Sequence, residues 1–130
     1  MGVTSKKILI ADDDRALVQM LTLQLEREGY TVLNAGDGCR ALAQALLQKP
    51  DVMILDIHMP FASGFNVQEH IYKLSRFEDV PVIYISGDNS DEARATARHF
   101  QAFALITKPF EMDALLATVR SAIASRAAAV

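Results

Sequence analysis

Short apolar segments alternate five times with longer amphipathic segments along the chain. The apolar segments are mostly rich in Ile, Val and Leu and show little two-residue alternation, which is typical of strands buried on both faces of a sheet. Each is followed by a segment with apolar residues at helical spacing. We predict strands at Lys7–Ala11, Thr31–Ala35, Val52–Leu55, Val82–Ile85 and Phe103–Thr107.

The amphipathic segments carry the start and stop signals of helices. In the first of them Leu17, Leu21 and Leu25 form one stripe, and Gly29 follows as a C-terminal cap. Pro50 ends the second. We predict helices at Arg15–Glu28, Arg40–Gln48, Phe65–Ser75, Asp91–Phe100 and Met112–Ser125. Five successive βα units predict an α/β fold, a parallel, doubly wound sheet with helices on both faces.

Composition and charge narrow the class of protein. A length of 130 residues with 51% apolar residues suits one domain with a covered sheet, and a net charge of -3 is too small to predict nucleic-acid or membrane binding. The apolar run after Lys7 is too short for a secretory signal, and no run reaches the ~18 residues of a membrane span. Since Cys39 is the single cysteine, no disulfide forms within the chain, and we expect a cytoplasmic protein.

Acidic residues directly follow two of the predicted strands. Asp12 and Asp13 come after the first strand and Asp56 after the third, whereas Asp14 is placed to cap the first helix. Because the carboxyl ends of parallel strands meet at one edge of a sheet, we expect the first three to lie together. Two like charges about 4 Å apart repel by roughly 4 kcal/mol at an effective dielectric near 20, so such a cluster calls for a cation.

Further polar residues follow the fourth and fifth strands, where Ser86 and Lys108 stand. The carboxylates of Asp12, Asp13 and Asp56 outweigh the one lysine and leave a formal charge of about -2, summed over these side chains. A set of carboxylates without a His or Cys cluster favours Mg²⁺ over zinc. Such a site suits phosphoryl transfer, in which a carboxylate can itself be the nucleophile and form an aspartyl phosphate.

Four motifs at these strand ends resemble the receiver domain family of response regulators. They are Ile-Leu-Ile-Ala-Asp-Asp-Asp (8–14), Leu-Asp-Ile-His-Met-Pro (55–60) with Gly64, Ile-Ser-Gly (85–87) and Thr-Lys-Pro-Phe (107–110). Each alone is weak, but four in this order and at these spacings are a specific signal. The resemblance covers about residues 6–125 and implies one receiver domain over residues 1–130, with a flavodoxin-like sheet of strand order 2-1-3-4-5.

The resemblance also implies a role for each residue at this edge. Asp56 would be the phosphoacceptor and become 4-aspartylphosphate, with Ser86 as the switch hydroxyl and Lys108 as the phosphate partner. The Lys108–Pro109 peptide bond would be cis. The ligands of Mg²⁺, for which Mn²⁺ could substitute, would be Asp12, Asp13, Asp56 and the backbone carbonyl of His58.

The partners follow from the same resemblance. The phosphoryl donor would be a sensor histidine kinase or a histidine phosphotransfer protein, and the phosphorylated domain would signal to an output partner that the sequence does not identify. We expect no enzymatic activity beyond the domain's own phosphorylation and dephosphorylation, and no direct binding of membranes or nucleic acid. A homodimer stays open, as does whether the chain is a stand-alone regulator or part of a longer protein.

Two positions depart from the family pattern. The aromatic residue that usually stands three positions before the lysine is Leu105 here, which favours the alternative of a phosphorylation-independent interaction module with the same fold. His58 lies two residues after Asp56, where family members tune dephosphorylation, so the lifetime of the phosphoryl group is not implied.

Two other functional hypotheses fit the sequence less well. A phosphatase of the haloacid dehalogenase type would require an acid two residues after the nucleophile, where His58 stands. Residues 36–41 match the dinucleotide pattern G-x-G-x-x-G/A, but they follow the second strand, and Asp37 would repel a pyrophosphate. We interpret that segment as a turn followed by a helix start.

Overall fold

Strands and helices alternate strictly in the computed structural model, which describes residues 5–75 and 80–128. The strands are β1 (Lys7–Ala11), β2 (Thr31–Ala35), β3 (Val52–Asp56), β4 (Val82–Ser86) and β5 (Ala104–Thr107). The helices are α1 (Arg15–Arg27), α2 (Gly38–Gln48), α3 (Gly64–Ser75), α4 (Asp91–His99) and α5 (Met112–Ala128). All ten predicted elements are present, so the α/β prediction is confirmed. Within these residues, no helix has both the length and the hydropathy needed to cross a membrane.

The boundaries differ from the predicted ones by a few residues, for local reasons. Asp56 and Ser86 belong to the ends of β3 and β4, because the parallel ladder continues through both residues. Helix α2 begins before Arg40, since the Asp37 side chain accepts the Arg40 N–H at 2.8 Å and caps the helix. Helix α5 continues past Ser125 through alanines, the best helix formers.

The sheet is parallel throughout and has the strand order β2-β1-β3-β4-β5, as the resemblance implied. The order reverses direction between β1 and β3, and α/β proteins bind their ligands in the crevice at that point. Ala11 pairs with Leu55 across these two strands. The next residues, Asp12 and Asp56, therefore leave the sheet side by side at its carboxyl edge.

Two apolar layers hold the helices against the two faces of the sheet. Buried side chains of α1 and α5, such as Leu21 and Val119, pack against Ile8 and Ile54 on one face. Helices α2, α3 and α4 cover the other face, where Leu9, Met53 and Tyr84 are buried. Both faces of β1, β3 and β4 are thus covered, which explains why these strands are apolar without alternation.

The start of α2 packs against the loop that follows β3. The Gly38 N–H donates to the Pro60 carbonyl at 3.2 Å. A methyl group on Gly38 would lie 2.1 Å from the Ala62 carbonyl oxygen and 2.6 Å from the Ala62 Cβ. Because no side chain fits there, glycine lets α2 support the loop that leads away from Asp56.

Gly38→Ala should therefore destabilise the fold. We expect the free energy of unfolding to fall by about 1–3 kcal/mol, the usual cost of forcing atoms into a packed contact. Urea denaturation followed by circular dichroism measures the change. The matched control is Gly36→Ala, because a Cβ at Gly36 would meet nothing within 4 Å. Equal stability of the two variants would contradict the proposed contact.

Candidate functional site

Three carboxylates meet at the carboxyl edge of the sheet between β1 and β3. Asp12, Asp13 and Asp56 each offer an oxygen, and these oxygens lie within 4.8 Å of one another. Asp12 and Asp56 are only 2% and 7% exposed, whereas Asp13 faces solvent. The structure thus brings together the three carboxylates that the sequence predicted at this edge.

Lys108 reaches this cluster from the end of β5. Its Nζ lies 2.6 Å from Asp12 Oδ2 and 3.5 Å from Asp56 Oδ2. The Lys108 backbone is held against β4, because its N–H donates to the Ser86 carbonyl at 2.8 Å. The Lys108–Pro109 peptide bond is cis, as expected. One ammonium group therefore contacts two of the three carboxylates in the cluster.

The close approach of these charged groups shifts the pKa values of Asp56 and Lys108. Burial, and then the charge of Asp12, raise the pKa of Asp56, while Lys108 and the His58 N–H act against that rise. Burial alone would lower the pKa of Lys108, but its hydrogen bond to Asp12 and the charges of Asp56 and Asp12 together raise it. Ionised Asp56 is thus held at a cost in free energy that a further cation would offset.

The donor set of this cluster fits a magnesium ion. Carboxylate oxygens are the ligands that Mg²⁺ prefers, and all three donors that the cluster brings together are carboxylates. The exposed Asp13 leaves an approach from solvent. The His58 N–H lies 3.4 Å from Asp56 Oδ1. Coordination of the metal ion by the His58 backbone carbonyl stays a prediction.

Asp14 stands apart from the cluster and caps α1, as predicted from the sequence. Its Oδ1 accepts the Leu17 N–H at 3.2 Å, which satisfies one of the free donors at the start of the helix. Its own N–H donates to Asp12 Oδ1 at 2.9 Å. The turn into α1 therefore orients one carboxylate of the cluster.

The loops after β3 and β4 are joined by a contact that sequence reasoning missed. His58 Nε2 lies 2.9 Å from Asp88 Oδ2. Hydrogen bonds from His58 and Ser90 lower the pKa of Asp88 to about 2, so at neutral pH its carboxylate accepts and the His58 Nε2 donates. The Asp88 N–H donates to Ser86 Oγ at 3.0 Å. Ser86, 2% exposed, ends β4 beside Asp56 and is thereby linked to this loop contact.

A cleft of about 570 Å³ opens beside Asp12 and Asp13. Arg15 and Arg40 line it from the starts of α1 and α2, and Phe61 lies at its edge. Phe61 is 84% exposed and has a φ of 71°, an uncommon backbone conformation for a bulky side chain. Neither the cleft nor Phe61 was predicted, because the three segments that form the cleft are distant in the chain.

Leu105 is half-buried on β5, where the family usually has an aromatic residue. It packs against the apolar layer under α2, α3 and α4. It also lines a shallow groove with Arg94, Arg98 and Phe103. Leu105 therefore lies against the core in this structure, as a smaller residue without a polar end can.

Comparisons with known proteins agree with this architecture and site. A profile of the response regulator receiver domain matches residues 8–120. The regulator PrrA of Mycobacterium tuberculosis is 34% identical over 125 residues, which is 96% of this chain and 53% of PrrA. RpaA of Synechocystis is 33% identical over 88% of this chain and 48% of its own length. The chain thus spans about half the length of these two relatives.

Other relatives match over nearly their whole length. Protein PilH of Pseudomonas aeruginosa is 32% identical over 91% of this chain and 98% of PilH. A CheY-like receiver domain from Methanospirillum hungatei superposes with a TM-score of 0.91 at 28% identity, covering 98% of this chain and 100% of that one. The chemotaxis regulator CheY4 of Vibrio cholerae has a TM-score of 0.84 at 31% identity over 92% and 99% of the two chains. The chain therefore belongs to the response regulator receiver domain family.

Proposed function

We propose that this domain accepts a phosphoryl group on Asp56 from a histidine kinase or a histidine phosphotransfer protein, and signals the change to a partner. Phosphoacceptance is the general function of the family, which is a signalling family rather than one of enzymes that turn over substrates. The observation that carries the proposal is the environment of Asp56. This buried carboxylate touches Lys108 and shares a cluster with two further carboxylates.

In this mechanism the Asp56 carboxylate is the nucleophile. One of its oxygens forms a bond to phosphorus while the bond from phosphorus to the donor's imidazole nitrogen breaks, and the imidazole leaves with that electron pair. No base is required, because an ionised carboxylate has no proton to lose. The fixed position of Asp56 at the end of β3 supplies the alignment that such a transfer needs.

Two further side chains would hold the transferred group. Lys108 Nζ, which lies 3.5 Å from Asp56 Oδ2, would pair with a phosphoryl oxygen. The Ser86 hydroxyl accepts the Asp88 N–H and keeps its own proton to donate to a second oxygen. When bound to Asp12, Asp13, Asp56 and the His58 carbonyl, Mg²⁺, or Mn²⁺ in its place, would neutralise the charge that the phosphoryl group brings.

The donor is a phosphohistidine protein, the location is the cytoplasm, and the domain catalyses only its own phosphorylation and dephosphorylation. Relatives such as PrrA are named as transcriptional regulators. By analogy, we propose that the receiver controls an output partner or an output segment, without binding nucleic acid or membranes itself. Association into a homodimer would be one means of that control.

One observation favours a second candidate, a receiver-fold interaction module that works without phosphorylation. Leu105 stands in place of the aromatic residue that usually reports phosphorylation, and it already lies against the core. The phosphoacceptor function is favoured by the presence of all five residues that the family pattern requires, Asp12, Asp13, Asp56, Ser86 and Lys108. Phosphoramidate labelling of the parent and of Asp56→Asn separates the two.

Asp56→Asn should abolish phosphorylation, because the amide keeps the shape of the side chain but is not a nucleophile. Incubation with phosphoramidate and Mg²⁺, followed by intact-mass measurement, should add one phosphoryl group to the parent and none to the variant. Asp91→Asn, an exposed carboxylate in the first turn of α4, is the matched control and should be phosphorylated like the parent. An unmodified parent would favour the interaction module, and a modified Asp56→Asn would place the acceptor elsewhere.

Phosphorylation should require Mg²⁺ or Mn²⁺ and stop in EDTA. Asp13→Ala should weaken Mg²⁺ binding by about tenfold or more, since it removes one of three carboxylate ligands. Asp14→Ala, which removes a helix cap, should leave the affinity near that of the parent. Calorimetric titration with MgCl₂ gives the three dissociation constants. Equal affinities in both variants would point to a different ligand set.

Asp56→Asn should also make the metal-free domain more stable. The raised pKa of Asp56 means that the folded state holds its proton more tightly than the unfolded chain, so the ionised carboxylate destabilises the fold at neutral pH. In EDTA the urea midpoint of the variant should exceed that of the parent, and Mg²⁺ should then stabilise the parent more than the variant.

The control for this change carries the same substitution at a supported carboxylate. Asp51 accepts the Lys7 N–H at 2.8 Å and lies 3.2 Å from Arg126 Nη1. Asp51→Asn should therefore lower the urea midpoint. A lower midpoint for Asp56→Asn as well would show that Asp56 is not held at an electrostatic cost.

A further inference from the structure

Two polar side chains are buried together in the apolar layer between the sheet and helices α3 and α4. The Tyr84 hydroxyl of β4 donates to Gln68 Oε1 of α3. Gln68 Nε2 in turn donates to the carbonyl oxygen of Phe100 at 2.8 Å. Both side chains are 0% exposed. Buried polar groups are costly unless paired, so these hydrogen bonds fix the three segments relative to one another.

Ring contacts add to the same connection. The Phe65 ring on α3 lies edge to face with the Tyr84 ring, with centroids 4.7 Å apart. It also stacks on the Phe100 ring at 5.6 Å. Phe100 is the C-terminal cap of α4, where the last carbonyl groups of a helix lack partners within the helix. Helix α3 therefore holds this end of α4 by a hydrogen bond and by stacking.

The same network reaches the backbone of the phosphoacceptor. The Tyr84 hydroxyl lies 3.5 Å from the carbonyl oxygen of Gly64, the first residue of α3. A Cβ on Gly64 would lie 2.5 Å from the Asp56 carbonyl oxygen and 3.1 Å from Tyr84 Cε1. Tyr84 also precedes Ser86 by two residues and so faces the same side of the sheet. The C-terminal end of α4 and the rim of the site thus share one buried support.

The N-terminal end of α4 is held in a different way. It begins after Ser90 and is tied to the site by the bond from the Asp88 N–H to Ser86 Oγ and by the His58–Asp88 contact. The His58 and Asp88 side chains are 68% and 34% exposed, so water competes for that contact. Ser86 is also the residue that would turn to a phosphoryl group. One end of α4 is thus fixed by buried bonds, and the other by bonds that the proposed chemistry would rearrange.

We propose that Tyr84 and Gln68 are positioning residues that anchor the C-terminal end of α4, so that phosphorylation of Asp56 moves its N-terminal end about this anchor. The inference rests on the proposed function of Asp56. The movement is confined to the segment from Asp88 to Arg94, whereas Phe100 and Ala102 keep their positions. Leu105, which has no polar end to follow Ser86, takes no part in the movement.

Amide NMR shifts on adding beryllofluoride and Mg²⁺ test the anchor. In the parent, residues 88–94 should shift strongly and residues 98–102 little. Tyr84→Phe keeps the ring but removes the hydroxyl, and Gln68→Met removes the bond to Phe100. In both variants the shifts should spread to residues 98–102. Hydrogen exchange at the Phe100 and Ala102 amides should speed up by about tenfold, as for the loss of one buried hydrogen bond.

The controls change the same kinds of side chain elsewhere. Tyr30→Phe alters a tyrosine that packs on the opposite face, and Gln48→Met alters an exposed residue at the end of α2, so both should keep the parent's pattern. Phosphoramidate labelling of every variant, read as intact mass, tests the acceptor separately. An unlabelled parent would refute the proposed function.

Two results would overturn the anchor while phosphorylation stays intact. One is an unchanged distribution of shifts in Tyr84→Phe or Gln68→Met. The other is a parent in which residues 98–102 shift as much as residues 88–94. The second comparison needs no variant, so it can overturn the proposal even if neither substitution folds.

Discussion

The repulsion between the carboxylates of Asp12 and Asp56 is the constraint on which the carboxyl edge of this sheet depends. The pairing of β1 with β3 places the two residues side by side, and burial removes the water that would screen them. Lys108 lies between them from β5, the farthest strand on that side of the sheet. Holding one buried acid next to another therefore lowers the stability of the fold, and the same arrangement would favour the binding of a cation.

Most of the fold could be predicted because its signals are local. Strands covered on both faces appear in the sequence as apolar runs, and residues such as Gly29 and Pro50 indicate where helices end. The carboxylate cluster was predictable for a topological reason, since residues that follow parallel strands meet at one edge. The exact ends of the strands could not be predicted from local signals, because β3 extends to Asp56 only through pairing of that residue with β4.

The contacts that sequence reasoning missed all join segments far apart in the chain. His58 and Asp88 each stand two residues beyond a strand end, but nothing in either segment indicates that their side chains meet. In the sequence Gln68 looks like an ordinary polar residue of a helix. Only the packing of α3 against β4 shows that Gln68 is buried with Tyr84. Such pairings depend on how the helices lie on the sheet, which hydrophobic periodicity does not specify.

The close packing of Gly38 against Ala62, and of Gly64 against the Asp56 backbone, bears on which partners can tell the two states of this domain apart. Both contacts hold the loop between β3 and α3 in place, so under the proposed function that loop would present nearly the same surface before and after phosphorylation, apart from the His58 side chain, whose contact with Asp88 would change. A protein that binds there has similar affinity for both states, and binding without differential affinity cannot shift an equilibrium. Under the proposed function that surface would suit a donor, which must recognise the unmodified domain and then leave, whereas a reader of the signal would have to contact the N-terminal end of α4 and the loop before it.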